Sequence, residues 1–507
     1  MSNKDHLTIK SLGELKASGY RPKTVKEELR ENLICKFKKK ETIFDGVLGY
    51  SKTVIPDIER AILSRHNIIL LGLRGQAKTR IARQMVDLLD EYIPVVEGSD
   101  LNDDPMAPIS RYANDLIDEL GDSTPIQWLH RSERYSEKLA TPDVSVADLI
   151  GDSDPIKAAT LKLPYSDERV IHFGLVPRSH RSIFVINELP DLQARIQVAL
   201  FNILQEGDIQ IRGFKLRIPL DIQFVFTANP EDYTNRGSIV TPLKDRIESQ
   251  ILTHYPKTIS ISKQITQQEA RVLEEQKSEI TIHDLAKDLV EQIAFEARDS
   301  EYVDARSGVS ARLTITGYEN LFSAAERRSL LFGEGKTHVR ISDFWGVVPS
   351  ITGKIELVYE GEQEGPQKVA QILIGKAVRS LFANYFPDPE KFKKETEANP
   401  YQKIVNWFSS GNAIDMLNDY PETVYRKTLT SVPGLHQLVK RYHPKADAET
   451  QLFLMEFALH GLAEYSFLSK HLIDSGLQFR DLLSSMLTID DREEDEGEDF
   501  SDLDFYR

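Results

Sequence analysis

The stretch Asn67-Ile-Ile-Leu-Leu-Gly-Leu-Arg-Gly-Gln-Ala-Lys-Thr79 decides the fold that the chain is expected to adopt. Its apolar run, Ile68 to Leu71, predicts a buried strand, and residues 72–76 predict a tight loop. Lys78 and Thr79 begin a predicted amphipathic helix. The apolar side of that helix carries Ile81, Met85, Val86 and Leu89. A strand, a loop and a helix in this order point backbone N–H groups and a helix N-terminus at an anion, so the stretch predicts a phosphate-binding site.

The predicted nucleotide-binding loop comprises Gly72, Leu73, Arg74, Gly75, Gln76, Ala77, Lys78 and Thr79. Lys78 would supply positive charge to the outer phosphates, and the Thr79 hydroxyl would bind Mg²⁺. The pattern G-x-x-x-x-G-K-[ST] is met except at Ala77, where a second glycine is expected. Alanine is allowed there if its φ is negative at the helix start, and the departure from the pattern then costs little. A lysine directly after such a loop has no packing role, which favours a nucleotide site over an ordinary strand-loop-helix turn.

Two further apolar runs predict strands that end in polar residues. Ser182-Ile-Phe-Val-Ile-Asn-Glu188 reads as a buried parallel strand, and Ile222-Gln-Phe-Val-Phe-Thr-Ala-Asn-Pro230 as another. Ligands bind at the carboxyl ends of strands in open α/β sheets. Glu188 there can orient an attacking water, and Asn187 can hydrogen-bond a metal-bound water without adding charge. Asn229 can reach a γ-phosphate or the water, although Asn-Pro is also a common start of a turn.

Composition limits the class of protein. A chain of 507 residues predicts two to four domains, and its single cysteine, Cys35, excludes a disulfide framework and thiolate metal clusters. We therefore expect a reducing compartment, the cytoplasm. No secretory signal is visible at the N-terminus. No apolar run approaches the roughly 20 residues that a membrane helix needs. The net charge of −16 argues against nucleic-acid binding, which needs clustered Lys and Arg.

The remaining segments give a coarse domain map. Residues 1–45 read as an N-terminal extension, Ile43 to Arg65 as helical, Ile93 to Glu97 as a second strand and 98–145 as a polar insertion. A hairpin is expected over 208–218, with its turn at Gly213, and Gln250 to His254 is the expected last core strand. From about residue 260 the pattern is helical and includes predicted helices over Met455–Leu468 and Phe479–Leu487. From Asp490 to Arg507, ten Asp or Glu stand against two Arg, which predicts a disordered acidic tail, either a solvating segment or a docking strip for a basic partner.

The order of motifs resembles AAA+ ATPases, specifically the MoxR and magnesium-chelatase I-subunit branch. The resemblance covers about Ile43 to Glu334. Ala77-Lys78-Thr79 matches a Walker A variant common in the MoxR branch, and Asn187-Glu188 stands at the Walker B position. The other matches are Asp148 to Gly151, Gly174-Leu175, His180 and the stretch Gln197 to Ile209, followed by Phe226 to Pro230 (sensor 1), Leu243 to Arg246 (the Leu-Asp-Arg box) and Ser310 to Arg312 (sensor 2).

The resemblance implies an α/β AAA+ P-loop core with a five-stranded parallel sheet over residues 46–258, a helical lid over 259–335 and an additional, mostly helical region over 336–489 before the tail at 490–507. Hairpins around residues 160–175 and 208–218 would be the insertions of this clade. The resemblance also implies Mg²⁺ and ATP as cofactors, with ATP between the subunits of a ring, commonly a hexamer. Glu188, Asn229, Arg246 and Arg312 would be the catalytic residues, with Arg246 acting on a neighbour's γ-phosphate, and Thr79 and Asn187 would hold the metal. The family's usual partner carries a von Willebrand factor A domain, and the outcome is metal insertion or protein remodelling.

Asn187 departs from the family, which has aspartate at this position. A lost carboxylate should weaken Mg²⁺ binding, so slow hydrolysis, or a nucleotide-gated scaffold without turnover, stays open beside a ring ATPase. A true magnesium chelatase of tetrapyrrole synthesis is a narrower alternative. The sequence of this chain cannot test it, because porphyrin is handled by another subunit in that system. A σ54-type transcriptional activator is the least supported alternative, since the sequence lacks its Gly-Ala-Phe-Thr-Gly-Ala loop and a helix-turn-helix.

Overall fold

A computed structural model describes residues 6–164, 167–211, 217–230, 239–392, 399–473 and 476–482. The chain divides into two compact units, residues 1–255 and 256–507. Each unit has its own hydrophobic core. None of the helices in the described ranges combines the length and the apolar composition that a membrane crossing requires.

The first unit is built on a parallel sheet. Its strands in chain order are β1 (Ile68–Leu71), β2 (Tyr92–Val96), β3 (Ile126–His130), β4 (Tyr135–Leu139), β5 (Gly151–Ser153), β6 (Ile171–Phe173), β7 (Ser182–Asn187), β8 (Asp208–Gln210), β9 (Arg217–Pro219), β10 (Ile222–Ala228) and β11 (Ser249–Leu252). The five-stranded sheet has the order β11-β1-β10-β7-β4, and every neighbouring pair in it is parallel. The predicted five-stranded parallel sheet is confirmed.

Both faces of this sheet are covered, which explains why its central strands are continuous apolar runs. Successive side chains of a strand point to opposite faces. Ile68 and Leu70 of β1 therefore join one core cluster, whereas Ile69 and Leu71 join the other. The carboxyl ends of β1, β10 and β7 meet at one edge, because Leu71 is in register with Ala228, and Phe226 with Ile186.

Helices flank the sheet. The α-helices of the first unit are Leu12–Ala17, Val25–Lys39, Val54–Leu63, Lys78–Gln84, Arg111–Leu120, Val146–Leu149, Pro155–Leu161, Leu175–Arg178, Ala194–Ala199, Phe201–Glu206 and Thr241–Asp245. Short 3₁₀ turns lie at His6–Thr8, Met85–Leu88, Gly121–Ser123, Arg131–Glu133, Glu168–Val170 and Leu189–Asp191. The helix predicted over Ile43–Arg65 is wrong before Val54, because Phe44, Gly46 and Gly49 all have positive φ.

The edge of the sheet differs from the sequence prediction. The strand predicted at Ile93–Glu97 forms as β2, but it pairs antiparallel with β3 in a separate two-stranded sheet. The edge strand is β4, which comes from the stretch interpreted as a polar insertion, 98–145. β4 is only half-buried, so polar residues are tolerated in it. Its sequence, Tyr-Ser-Glu-Lys-Leu, is therefore not an apolar run.

The N-terminal residues are integral to the first unit. Val25, Leu29 and Leu33 of the helix Val25–Lys39 lie in the same core cluster as β1. From that helix the fully buried Glu28 accepts two hydrogen bonds of 2.7 Å from Arg134, which directly precedes β4. A buried ion pair of this kind leaves a costly unpaired charge if either partner is removed.

The hairpin expected at 208–218 forms in part, whereas the strand pairing near 160–175 begins earlier than expected, at Gly151. β5 pairs antiparallel with β6, and the helix Pro155–Leu161 lies between them. β8 pairs antiparallel with β9, so that Gln210 faces Arg217, and the expected turn at Gly213 lies outside the described residues.

The second unit is mostly helical. Its α-helices are Ile259–Glu269, Glu274–Glu279, Asp284–Arg298, Arg312–Phe332, Val348–Thr352, Tyr359–Glu364, Pro366–Phe382, Gln402–Ser409, Glu422–Thr430, Leu435–Tyr442 and Ala448–Glu464, with 3₁₀ turns at Ser342–Val347 and Pro389–Phe392. Its strands are β12 (Ile280–Thr281), β13 (Thr337–His338), β14 (Ile414–Leu417), β15 (Ser469–Ile473) and β16 (Gly476–Arg480), with β14-β16-β15 in one sheet.

One hydrophobic cluster runs from Val272 to Phe479 and draws on both the predicted lid and the predicted C-terminal region. The helix predicted over Phe479–Leu487 is wrong at its start, because Phe479 lies in β16 and faces Ile414 of β14. Residues 483–487 and the acidic tail lie outside the described ranges.

Candidate nucleotide-binding site

The loop after β1 is tightly fixed at its first residue. A Cβ added to Gly72 would overlap the Thr253 hydroxyl and the Gln76 amide oxygen, so only glycine fits there. The Thr253 hydroxyl donates to Gln76 Oε1 over 2.6 Å. Thr253 directly follows β11, so the sheet itself holds the loop in shape.

Ala77 adopts the conformation that the family pattern reserves for glycine. Its φ is +58° and its ψ is 15°, so the condition under which alanine would cost little is not met. The backbone turns from the loop into the helix Lys78–Gln84 through a left-handed residue, which costs an alanine roughly 1 kcal/mol. The loop geometry that favours glycine is thus retained without the glycine.

Lys78 lies at the centre of the loop and is 7% exposed. Its ammonium donates hydrogen bonds to the carbonyl oxygens of Gly72 and Leu73, the latter at 3.1 Å, and to Asn229 Oδ1 at 3.0 Å. Two residues predicted independently, one after β1 and one after β10, are therefore in direct contact. The three oxygens that these hydrogen bonds reach are uncharged, and contacts of an ammonium with phosphate oxygens are strong hydrogen bonds.

Asn187 and Glu188 end β7 at the same edge of the sheet. The Thr227 hydroxyl of β10 donates to Asn187 Oδ1 over 3.2 Å and accepts from the Glu188 N–H over 3.1 Å. Glu188 has a φ of +55° and begins the 3₁₀ turn Leu189–Asp191. Glu188 is half-buried, and its left-handed backbone is a costly conformation of the kind that is concentrated at functional sites in many proteins.

The metal-binding capacity of the site is modest. Among the described residues there is no group of three or more His, Cys, Asp or Glu that could hold a metal ion. The hydroxyl of Thr79 and the amide oxygen of Asn187 are neutral ligands. They fit Mg²⁺ that arrives with a nucleotide, since this ion commonly uses one or two protein oxygens beside phosphate oxygens and water.

Two tyrosines that the sequence analysis did not identify hold the loop through hydrogen bonds to its backbone. The Tyr50 hydroxyl contacts the carbonyl oxygens of Gln76 at 3.0 Å and His254 at 2.7 Å, and the Tyr255 hydroxyl donates to the Arg74 carbonyl over 3.0 Å. Burial raises the pKa of Tyr50 to about 12, so its hydroxyl stays a donor at neutral pH. No local pattern marks these residues, because Tyr50 and Tyr255 meet the loop only through the fold.

The two predicted arginines lie in different units. Arg246 follows the helix Thr241–Asp245 in the first unit, where its guanidinium stacks over the Phe201 ring at 5.0 Å. Arg312 begins the helix Arg312–Phe332 in the second unit, and its N–H donates to Ser310 Oγ over 3.1 Å. The catalytic roles of both arginines stay predictions.

Known proteins resemble this chain over much of its length. No protein-family profile matches it. The magnesium-chelatase subunit ChlI of Chlorella vulgaris is 24% identical over 300 residues, which are 56% of this chain and 79% of that protein.

Solved structures of similar proteins include a putative ATPase from Cytophaga hutchinsonii, with 18% identity, 71% of this chain and 97% of that chain covered and a TM-score of 0.28. Another is the complex of the magnesium-chelatase subunits BchI and BchD, with 18% identity, 61% and 93% coverage and a TM-score of 0.29. A third is NtrX from Brucella abortus with ATP, with 12% identity, 79% and 72% coverage and a TM-score of 0.34. The curated relative confirms the motif-based resemblance to AAA+ ATPases of the magnesium-chelatase type.

Proposed function

We propose that this chain, an AAA+ protein related to the I subunits of magnesium chelatases, binds Mg·ATP in the loop 72–79 and hydrolyses it as one subunit of a ring. The observation that carries the proposal is the 3.0 Å contact between Lys78 Nζ and Asn229 Oδ1. It joins the phosphate-binding loop to the polar end of β10, and the register of β10 with β7 brings Asn187 and Glu188 to the same edge.

Each residue has a defined task in this proposal. Lys78 neutralises the outer phosphates, and Glu188 orients and polarises the attacking water. Asn229 positions the water or the γ-phosphate from the side of β10. Mg²⁺, held by the phosphates with Thr79 and Asn187, would neutralise charge that develops on the transferred phosphoryl group.

The ring completes the site. Arg246 of one subunit would reach the γ-phosphate bound by its neighbour, a contribution worth ~10³–10⁵ in rate in other nucleotide hydrolases. Arg312 would sense the nucleotide from the second unit. We further propose a hexameric ring in the cytoplasm that drives a partner with a von Willebrand factor A domain, in metal insertion or protein remodelling.

A nucleotide-gated scaffold with little turnover is the second candidate, and Asn187 favours it. Its neutral amide supplies no charge to Mg²⁺, and its oxygen already accepts from the Thr227 hydroxyl. Binding without hydrolysis would still allow nucleotide-dependent assembly.

Phosphate release separates the two candidates. The purified full-length protein is assayed with Mg·ATP, beside Glu188→Gln and the control Glu133→Gln, which changes an exposed glutamate of the same unit. The ATPase proposal predicts turnover that Glu188→Gln removes while ATP binding persists, and that the control retains. Binding without turnover in the wild type, alone and with its partner, would support the scaffold. The mass of the protein in solution with and without ATP tests the ring.

A further inference from the structure

Arg246 is held mainly by the helix Phe201–Glu206, the second helix after β7. Its Nε donates to Gln205 Oε1 over 2.9 Å, and its guanidinium carbon lies 5.0 Å above the centre of the Phe201 ring. Its NH1 group donates to the Pro242 carbonyl over 2.7 Å. A flexible, partly exposed side chain is thus fixed at three points, two of them on the helix Phe201–Glu206.

These contacts leave one edge of the guanidinium for an anion. Nε and one terminal nitrogen are engaged, whereas no hydrogen bond to the second terminal nitrogen is formed by any residue in the described ranges. Stacking of the planar group on an aromatic face holds its orientation without using a donor. The arrangement therefore orients the arginine without neutralising it, because none of its partners among the described residues is a carboxylate.

The same helix is connected to Glu188. After Glu188 the chain passes through the turn Leu189–Asp191 into the helices Ala194–Ala199 and Phe201–Glu206. The buried Gln197 donates to the Leu192 carbonyl over 2.8 Å and accepts from the Val240 N–H over 2.9 Å. Val240 is the N-cap of the helix that leads to Arg246.

Apolar packing makes this segment one block. Ile196, Leu200 and Ile203 share a core cluster with Leu243 and Ile247, which lie on either side of Arg246. The segment that follows Glu188 therefore packs in the same cluster as the residues that flank Arg246 in sequence.

We propose that Phe201 and Gln205 are positioning residues that present Arg246 to a neighbouring subunit, and that Gln197 couples this arginine to the strand end bearing Glu188. The site at which a subunit hydrolyses ATP and the arginine that the same subunit presents to its neighbour would then move together. This inference rests on the proposed ATPase function. It adds to that function the residues that set the orientation of the arginine.

The test measures steady-state phosphate release against ATP concentration for matched variants. Phe201→Leu keeps an apolar side chain and removes the aromatic face, and Gln205→Ala removes the acceptor. Each should lower kcat about two- to fivefold, with an unchanged KM for ATP, because the binding loop is intact. Gln205→Glu keeps an oxygen acceptor but places a carboxylate against the guanidinium, so it should not recover the rate that Gln205→Ala loses. Val198→Ala, on the preceding helix and 51% exposed, is the control and should leave kcat unchanged.

A mixing experiment distinguishes positioning from a structural defect. Subunits with Glu188→Gln lack their own turnover but carry an intact Arg246, so they should raise the rate per Phe201→Leu subunit when the two are mixed. In an Arg246→Ala background, Phe201→Leu should cause no further loss. A rate loss that mixing does not rescue, or that adds fully to Arg246→Ala, would overturn the assignment.

The outcomes also separate this inference from the proposed function. Turnover that Arg246→Ala abolishes but that Phe201→Leu and Gln205→Ala leave unchanged would overturn the positioning roles alone. Absence of turnover in the wild-type protein would overturn the ATPase proposal, and the positioning roles with it.

Discussion

The two units differ in where their backbone is strained. In the first unit, non-glycine residues with positive φ include Lys40, Phe44, Arg65, Ala77, Asn102, Lys162, Arg181 and Glu188. In the second unit, Ser466 alone has this conformation within the described residues. Two of the residues in the first unit, Ala77 and Glu188, belong to the candidate nucleotide site. Part of the backbone strain in the first unit is therefore located at the candidate site.

In the second unit, by contrast, the energetically costly feature is the burial of charged side chains. Arg328 is fully buried and donates to both carboxylate oxygens of Asp343 at 3.1 and 3.0 Å, to the Thr337 hydroxyl and to the His338 carbonyl. Glu456, also fully buried, accepts from the N–H groups of Ile341 and Ser342. Such networks are stable only while every member is satisfied.

The largest expected effect comes from breaking that network. Arg328→Ala leaves the Asp343 carboxylate buried without its guanidinium and should destabilise the second unit by about 3–5 kcal/mol. Urea unfolding followed by tryptophan fluorescence measures this, since Trp345 and Trp407 report on the second unit and Trp128 on the first. Arg327→Ala is the matched control. Arg327 is exposed and paired with Asp419, so its loss should cost less than about 1 kcal/mol.

The next effect tests the site in the first unit. Lys78→Ala removes the ammonium that contacts Asn229 and should weaken binding of a fluorescent ATP analogue at least about 100-fold, because charge-assisted contacts to phosphate are lost. Fluorescence titration of the variant measures the affinity. Lys52→Ala removes an exposed lysine of the same unit and should bind normally. Equal affinities for all three proteins would contradict the assignment of the loop.

Acid should reveal a buried histidine of the second unit. Burial lowers the pKa of His460 to about 3, below the value of about 6.5 expected in the unfolded chain. Between pH 7 and 5 the imidazole is therefore protonated in the unfolded state but not in the folded state. The free energy of unfolding should fall by about 2 kcal/mol over this range. His460→Gln should lose correspondingly less stability over this range in urea unfolding. His436→Gln, at an exposed position, should keep the pH dependence of the wild type.

A smaller effect tests the strain at Ala77. Glycine at this position relieves the left-handed conformation, so Ala77→Gly should stabilise the first unit by about 0.5–1 kcal/mol against thermal unfolding. Ala82→Gly, in the regular part of the same helix, should destabilise it. Destabilisation by both substitutions would show that Ala77 is not strained.

The smallest effect is expected from the acidic tail. Deletion of residues 490–507 should leave unfolding and basal phosphate release unchanged, because the composition predicts a solvated segment. A loss of activity would favour the docking strip for a basic partner.

Sequence reasoning succeeded where burial on both faces leaves a local pattern. β1, β7 and β10 are continuous apolar runs, and the polar residues after them were identified for the same reason. β4 was missed because an edge strand can be polar, and the positive φ of Ala77 was missed because backbone conformation at a non-glycine residue has no compositional mark. The braces at Tyr50 and Tyr255, and the support of Arg246 by Phe201, depend on contacts between residues distant in the chain, which no motif records.

The ion pair between Glu28 and Arg134 has a practical consequence for dissecting the molecule. A fragment starting at residue 46, where the motif pattern places the start of the core, would keep the guanidinium and discard its only carboxylate among the described side chains. It would also uncover the apolar surface that Leu29 and Leu33 protect. Recombinant versions of the nucleotide-binding half should therefore retain the helix Val25–Lys39, and shortened ones are expected to precipitate.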